Sequence, residues 1–253
     1  MNPFKYIVPL FSIAFVFTSG CKDDDPKPFK QNVALLISHE WNDSLLVLNK
    51  SYFWSHDSKI DTITPTTLIY HINNLTLNTQ DSLRIDANLP YYMIDFDAKS
   101  VLPSDISFTT PKEGVKYYVT SLEFTIGVAD SLTSLMGALN STFVSPMYWG
   151  MIQGYINFKL DALSPQTNTG TLFYHIGGYR KPYYNSRRVK VIFDKPYYLN
   201  KENTLTISAN IYKLFNSAHK LDITNVNQVE VPNDDSKLIA DNMAKMFSFK
   251  SLK

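Results

Sequence analysis

Alternation with a period of two is the feature that most limits what this chain can become. From Thr204 to Ile211 the apolar residues Leu205, Ile207, Ala209 and Ile211 interleave with Thr204, Thr206, Ser208 and Asn210. An extended chain sends successive side chains to opposite faces, so such a segment suits a half-buried antiparallel strand. Ile156, Phe158, Leu160 and Ala162 repeat the pattern against Asn157, Lys159 and Asp161, and Val189, Val191 and Phe193 repeat it again. Further strands are expected over 33–37, 45–48, 69–77, 91–96, 117–126 and 171–176. Sixteen Tyr and sixteen Phe among 253 residues strengthen the preference for strand over helix. Turn-prone stretches such as Leu163-Ser-Pro-Gln-Thr-Asn-Thr-Gly170 and Tyr179-Arg-Lys-Pro-Tyr-Tyr-Asn185 separate the alternating segments. The expected fold is mainly β, an antiparallel β-sandwich-like single domain over 32–253.

Two segments carry helical spacing instead. Between Asp130 and Leu139 the aliphatics Leu132, Leu135, Met136 and Leu139 suit a short helical insertion or a loop. Near the C-terminus Asp234 or Asp235 can cap a helix whose stripe is Leu238, Ile239, Met243, Met246 and Phe247. Its methionines are expected to fill core space against the sheet.

The N-terminal 1–20 reads as a secretory signal: Lys5 is basic, Ile7 to Phe17 is almost wholly apolar, and Thr18-Ser19-Gly20 are small residues ahead of Cys21. The apolar run is short of the roughly 20 residues a membrane-spanning helix needs. Cys21 is the only cysteine, which excludes an intramolecular disulfide. The arrangement resembles the lipobox of bacterial lipoproteins, in which this thiol is diacylated, with Thr18 departing from the usual aliphatic residue. Residues 21–31, beginning Cys21-Lys-Asp-Asp-Asp-Pro-Lys-Pro28, are expected to form a flexible tether. A lysine and acids directly after the cysteine also resemble an export signal for the outer membrane. The expectation is therefore an outer-membrane lipoprotein held by lipid on Cys21, on the periplasmic or cell-surface face.

A net charge of +1 with acids and bases well mixed leaves no electrostatic footprint for nucleic acid. There is no Gly-x-Ser-x-Gly elbow, no phosphate-cradling Gly-rich loop and no closely spaced zinc motif, so the chain is not expected to be an enzyme. Its five histidines, His39, His56, His71, His175 and His219, are scattered, and any metal site has to be assembled by folding. In an extended segment His175 points away from Leu172, Tyr174 and Ile176 and precedes Gly177-Gly178, where backbone can approach closely. Met147, Trp149 and Met151 fall on one face if their segment is extended. Thioether and imidazole groups suit soft Cu(I), although the same residue types also serve as packing in a sheet.

Met147-Tyr-Trp-Gly-Met-Ile-Gln-Gly-Tyr-Ile-Asn-Phe-Lys-Leu160, Phe173-Tyr-His-Ile-Gly-Gly178, Leu122-Glu-Phe-Thr-Ile-Gly-Val128 and Ile239-Ala-Asp-Asn-Met-Ala-Lys-Met-Phe247 together resemble the MbnP-like family of extracytoplasmic copper-binding proteins. The segments 33–49, with His39, and 68–77 also follow its pattern. The resemblance implies copper held by histidines and a tryptophan-derived kynurenine that a di-haem partner enzyme produces. It points to Trp149, His175 and His39 as ligands, with Met151 standing where relatives carry a second aromatic or a histidine. His71 stands where a tyrosine is common. The expected function is copper acquisition, storage or sequestration. The alternative is a metal-free surface module that binds a protein or glycan through the aromatic 179–184 loop.

Overall fold

The computed structural model describes residues 28–56, 59–96, 106–128, 147–150 and 154–253. Residues 1–20, Cys21, most of the expected tether, the segment 130–139 and Met151 lie outside them. The longer strands are β1 (Asn32–Trp41), β2 (Tyr52–His56), β3 (Lys59–Thr79), β4 (Tyr91–Asp95), β5 (Tyr118–Ile126), β6 (Tyr148–Gly150), β7 (Gly154–Leu163), β8 (Thr171–Gly177), β9 (Arg187–Tyr198), β10 (Glu202–Asn210) and β11 (Phe247–Leu252); the one α-helix among the described residues, α1 (Asp234–Met243), precedes the last strand.

Two main sheets result. The smaller runs β11-β10-β1, with short strands Ser44–Leu45 and Ser107–Thr109 also on β1; the larger runs β9-β5-β3-β7-β8 and ends on Gln228–Val229. Strands β2, Arg84–Asp86 and β4 pair with β3, and β6 pairs with β7. The apolar positions read from the sequence line the space between the sheets: Val33, Leu35, Ile37 and Trp41 of β1 join Leu205, Ile207 and Ala209 of β10, and Tyr70, Phe158, Leu160, Tyr174 and Ile176 of the large sheet.

The fold is not antiparallel throughout. Strands β1 and β10 run parallel, with Leu35 beside Leu205 and Ile37 beside Ile207, and β8 pairs parallel with Gln228–Val229. Alternation tells which face of a strand is apolar but is blind to the direction of its neighbour, so this correction could come only from the folded chain.

Strand β3 is longer than expected and bends at Asn74, whose φ of 52° is left-handed. Its register against β5 shifts between Asn73 and Thr76. The extra residue inverts the alternation, so that Ile72 and Leu75 both enter the core. Before the bend, Leu68, Tyr70 and Ile72 face the core, while Ile69 joins a small separate cluster with Met147 and Ile156 on the outer face.

The helix is capped by Asn233, one residue before the expected aspartates. The Asn233 side chain accepts from the Ser236 backbone N–H at 2.8 Å, and the Asn233 N–H donates to the Ser236 hydroxyl at 2.9 Å. Asp234 and Asp235 sit in the first turn instead, where the helix dipole favours negative charge. The helix stops at Met243, so Met246 and Phe247 are not part of its stripe; Phe247 opens β11 and packs edge-on against Phe124 at 5.0 Å.

Candidate metal centre

The outer face of the large sheet holds most of the chemistry. Strand β7 pairs with β8 so that Lys159 lies opposite His175, and with β3 so that Lys159 lies opposite Ile69. The alternation that buries Leu172, Tyr174 and Ile176 sends His175 outward, half-buried. Its Nε2 donates to Asp161 Oδ1 at 2.6 Å, and its Nδ1 lies 3.5 Å from Glu230 Oε1. Burial by itself would raise the Asp161 carboxyl, but the bond from His175 and the charge of Lys159, 3.4 Å away, hold it below its ordinary value. Asp161 thus holds the orientation of the ring through Nε2, as carboxylates do for metal-bound imidazoles, while Nδ1 faces Glu230.

Trp149 lies beside this group. Strand β6 is extended, which the sequence had left as a condition, and Met147 and Trp149 pack on the same cluster of Ile69 and Ile156. The six-membered ring of the indole lies against Gly177, two residues beyond His175. A Cβ at Gly177 would stand 2.5 Å from a Trp149 ring carbon and 2.6 Å from the Tyr155 carbonyl oxygen. Glycine is thus required by close approach.

His39 is elsewhere. It follows Val33, Leu35 and Ile37 on the inward face of β1, where only 5% of it is exposed. Its Nε2 pairs with the Tyr70 hydroxyl at 2.8 Å, and its ring packs 4.8 Å from Phe96. Burial lowers its pKa to about 4, with the charge of Glu40 opposing. The large sheet therefore separates His39 from His175 and Trp149. Met151 lies outside the described residues.

Another histidine does share the outer face. His71 on β3 is fully buried, and burial lowers its pKa to about 3. Its Nδ1 is hydrogen-bonded to the Tyr91 hydroxyl, and the Tyr155 ring meets it edge-on at 6.1 Å. Among the described residues no cluster of three or more His, Cys, Asp or Glu is poised to hold a metal ion. The same face also carries the Met93 and Met147 thioethers and the Trp149 indole, packed with Ile69 and Ile156. Sequence reasoning did not single out Asp161 or Glu230. Alternation alone places Asp161 on the face of Lys159, but only the β7–β8 register brings it to His175.

A family model described as MbnP matches residues 30–234. The chain belongs to the MbnP family. A solved structure, MbnP from Methylosinus trichosporium, superposes with a TM-score of 0.55 at 13% sequence identity, covering 88% of this chain and 98% of that one. At that identity the likeness speaks for the fold. Comparison with curated protein sequences finds no match. The MbnP match takes in His39, His71, Trp149, Asp161, His175 and Glu230, and ends at the start of α1.

Proposed function

We propose that this MbnP-family chain is a lipoprotein of the outer membrane, anchored through Cys21, that binds copper for acquisition, storage or sequestration and catalyses no reaction. Family membership supports the copper reading. The observation that carries it is the placing of Trp149 over Gly177 beside a His175 whose Nε2 is held by Asp161. On this reading His175 offers Nδ1 to the metal. Trp149 contributes a ring donor once a di-haem partner has oxidised it to kynurenine, and Met151, two residues on, offers a soft thioether. Bound copper would supply tight, soft-ligand metal storage; the chain's part is to orient the imidazole and keep the indole in place. The test is an anaerobic Cu(I) titration against a chromophoric chelator. Stoichiometric binding that weakens in His175→Ala is expected; no binding by the wild-type chain would remove the reading.

The second reading, a metal-free surface module on the same fold, draws on the separation of His39 from His175 by the sheet. Its recognition surface would be the hairpin formed by Tyr179–Arg180 and Tyr183–Tyr184, where Tyr184 is 46% exposed. The same titration separates the two, since a module without metal leaves the chelator fully loaded.

A further inference from the structure

We infer that a polar cleft on the outer face of the large sheet, at the bend of β3, is a binding site for a neutral saccharide. The inference stands apart from the copper reading and holds whether or not the chain takes up metal.

The cleft is a product of the bend. Against β5, Asn73 faces Thr125 and Thr76 faces Glu123, so Asn74 and Leu75 of β3 oppose Phe124 alone. On the other edge of β3 the facing chain leaves the ladder after Asp86, opposite Thr76, and returns at Tyr91, opposite Asn73. Residues 87–90 therefore stand out as a rim. It is pinned by the Ala87 N–H on the Leu75 carbonyl at 2.9 Å, the Asn74 N–H on the Pro90 carbonyl at 3.2 Å and the Asn88 N–H on the Ser107 carbonyl at 2.8 Å. This rim and Arg188 of β9 belong to the walls of a cleft of about 500 Å³, within the usual range of small-molecule sites. Asn74, in the left-handed conformation at φ 52°, lines it. Such backbone is costly for a residue with a side chain, and it gathers at ligand sites.

The wall is charged but balanced. Leu75, Leu77, Ile85, Leu122, Phe124 and Val189 take the core face of their strands, so alternation turns Thr76, Arg84, Asp86, Glu123 and Arg188 outward into the cleft. Arg84 donates from Nη2 to the Thr76 hydroxyl at 3.1 Å, and that buried hydroxyl donates to Asp86 Oδ1 at 2.7 Å. The buried Glu123 carboxylate is paired with Arg188 and with Lys190, the latter at 3.1 Å. Each guanidinium is thus matched by a carboxylate, directly or through one hydroxyl, and a charged ligand would have to break these pairs.

What remains for a ligand is hydrogen bonding of both kinds. The rest of the Arg84 fork donates, the second Asp86 oxygen accepts, and the Asn74 amide does both, all on exposed side chains. Thr76 orders the first two before any ligand arrives, which lowers the cost of binding. Leu89 and Pro90, exposed on the rim, add a small apolar surface. A sugar ring meets this combination, because each of its hydroxyls donates and accepts while its C–H face is apolar. None of the lining residues belongs to the 179–184 hairpin.

The experiment uses the full chain stripped of metal with EDTA. Saturation-transfer NMR is run with glucose, mannose, N-acetylglucosamine, maltose and chitobiose, and with glycine and succinate as zwitterionic and anionic probes. Transfer to the ring protons of at least one sugar is expected, with glycine and succinate weaker. The affinity for that sugar is expected to fall about fivefold in Asn74→Gly and in Arg84→Met, the loss of a hydrogen bond or two, and to stay unchanged in Tyr184→Ala. Asn74→Gly keeps the left-handed backbone and Arg84→Met leaves Thr76 bonded to Asp86, so both should fold, which far-UV circular dichroism checks. Amide shifts of the wild-type chain give an independent readout: residues 74–76 and 87–89 are expected to move with added sugar and residues 179–184 to stay. No transfer to any sugar, tighter binding of glycine or succinate, or shifts and losses confined to the hairpin each overturn the inference. None of these outcomes bears on Cu(I) binding, which the chelator titration tests separately.

Discussion

At the scale of single residues, the outer face depends on a missing side chain. Trp149 packs against Gly177 because there is no Cβ in the way, and the second atom a Cβ would meet is a backbone oxygen that cannot swing aside. Gly177→Ala is therefore expected to lift the indole and destabilise the chain by about 1–3 kcal/mol, the usual cost of overpacking. A lower melting temperature together with red-shifted tryptophan emission checks this, since Trp41 and Trp54 are buried in the main core and should not respond. The sequence shows that Gly177 follows His175 by two residues. It cannot show what lies on the glycine, because Trp149 arrives from a segment 28 residues earlier in the numbering.

At the scale of elements, strand patterning was legible and boundaries less so. Strands β7, β8 and β10 fall where alternation put them, because one face of each meets the core. The Leu45–Leu48 expectation shrank to Ser44–Leu45, and β2 went unnoticed. In β2 the alternation of Phe53 and Ser55 with Tyr52 and Trp54 mixes large apolar residues on both faces; Trp54 is buried while Phe53 is 69% exposed. The helix cap moved by one residue because Asn233 and Ser236 form a reciprocal pair that Asp234 and Asp235 cannot. The Ser236 hydroxyl also accepts from the buried Asn185 amide at 2.8 Å, tying the helix start to the chain before β9. Asn233→Ala is expected to cost about 1 kcal/mol, seen as a lower urea midpoint with an unchanged slope.

At the scale of the whole molecule, two buried neutral imidazoles couple stability to pH. His39 sits near pKa 4 and His71 near 3 when folded, against an unfolded value of 6.5. The unfolded chain binds these protons first as pH falls, so their contribution is complete above pH 6.5 and lost on descending to about 4 for His39 and about 3 for His71. Each shift corresponds to several kcal/mol, on the order of 3 for His39. The metal-free chain should lose much of its stability between pH 6.5 and 4, and His39→Gln should flatten part of that slope in urea unfolding followed across this range. The sequence by itself determined the class of this fold, its inner faces and its family pattern, because a period-two apolar code survives in any partner arrangement. The tertiary structure alone decided that β1 and β10 run parallel, that Asp161 holds His175, and that His39 and His175 lie on opposite sides of one sheet. Those facts depend on which strands pair, in which direction and register, and the alternation of a single strand carries none of that information.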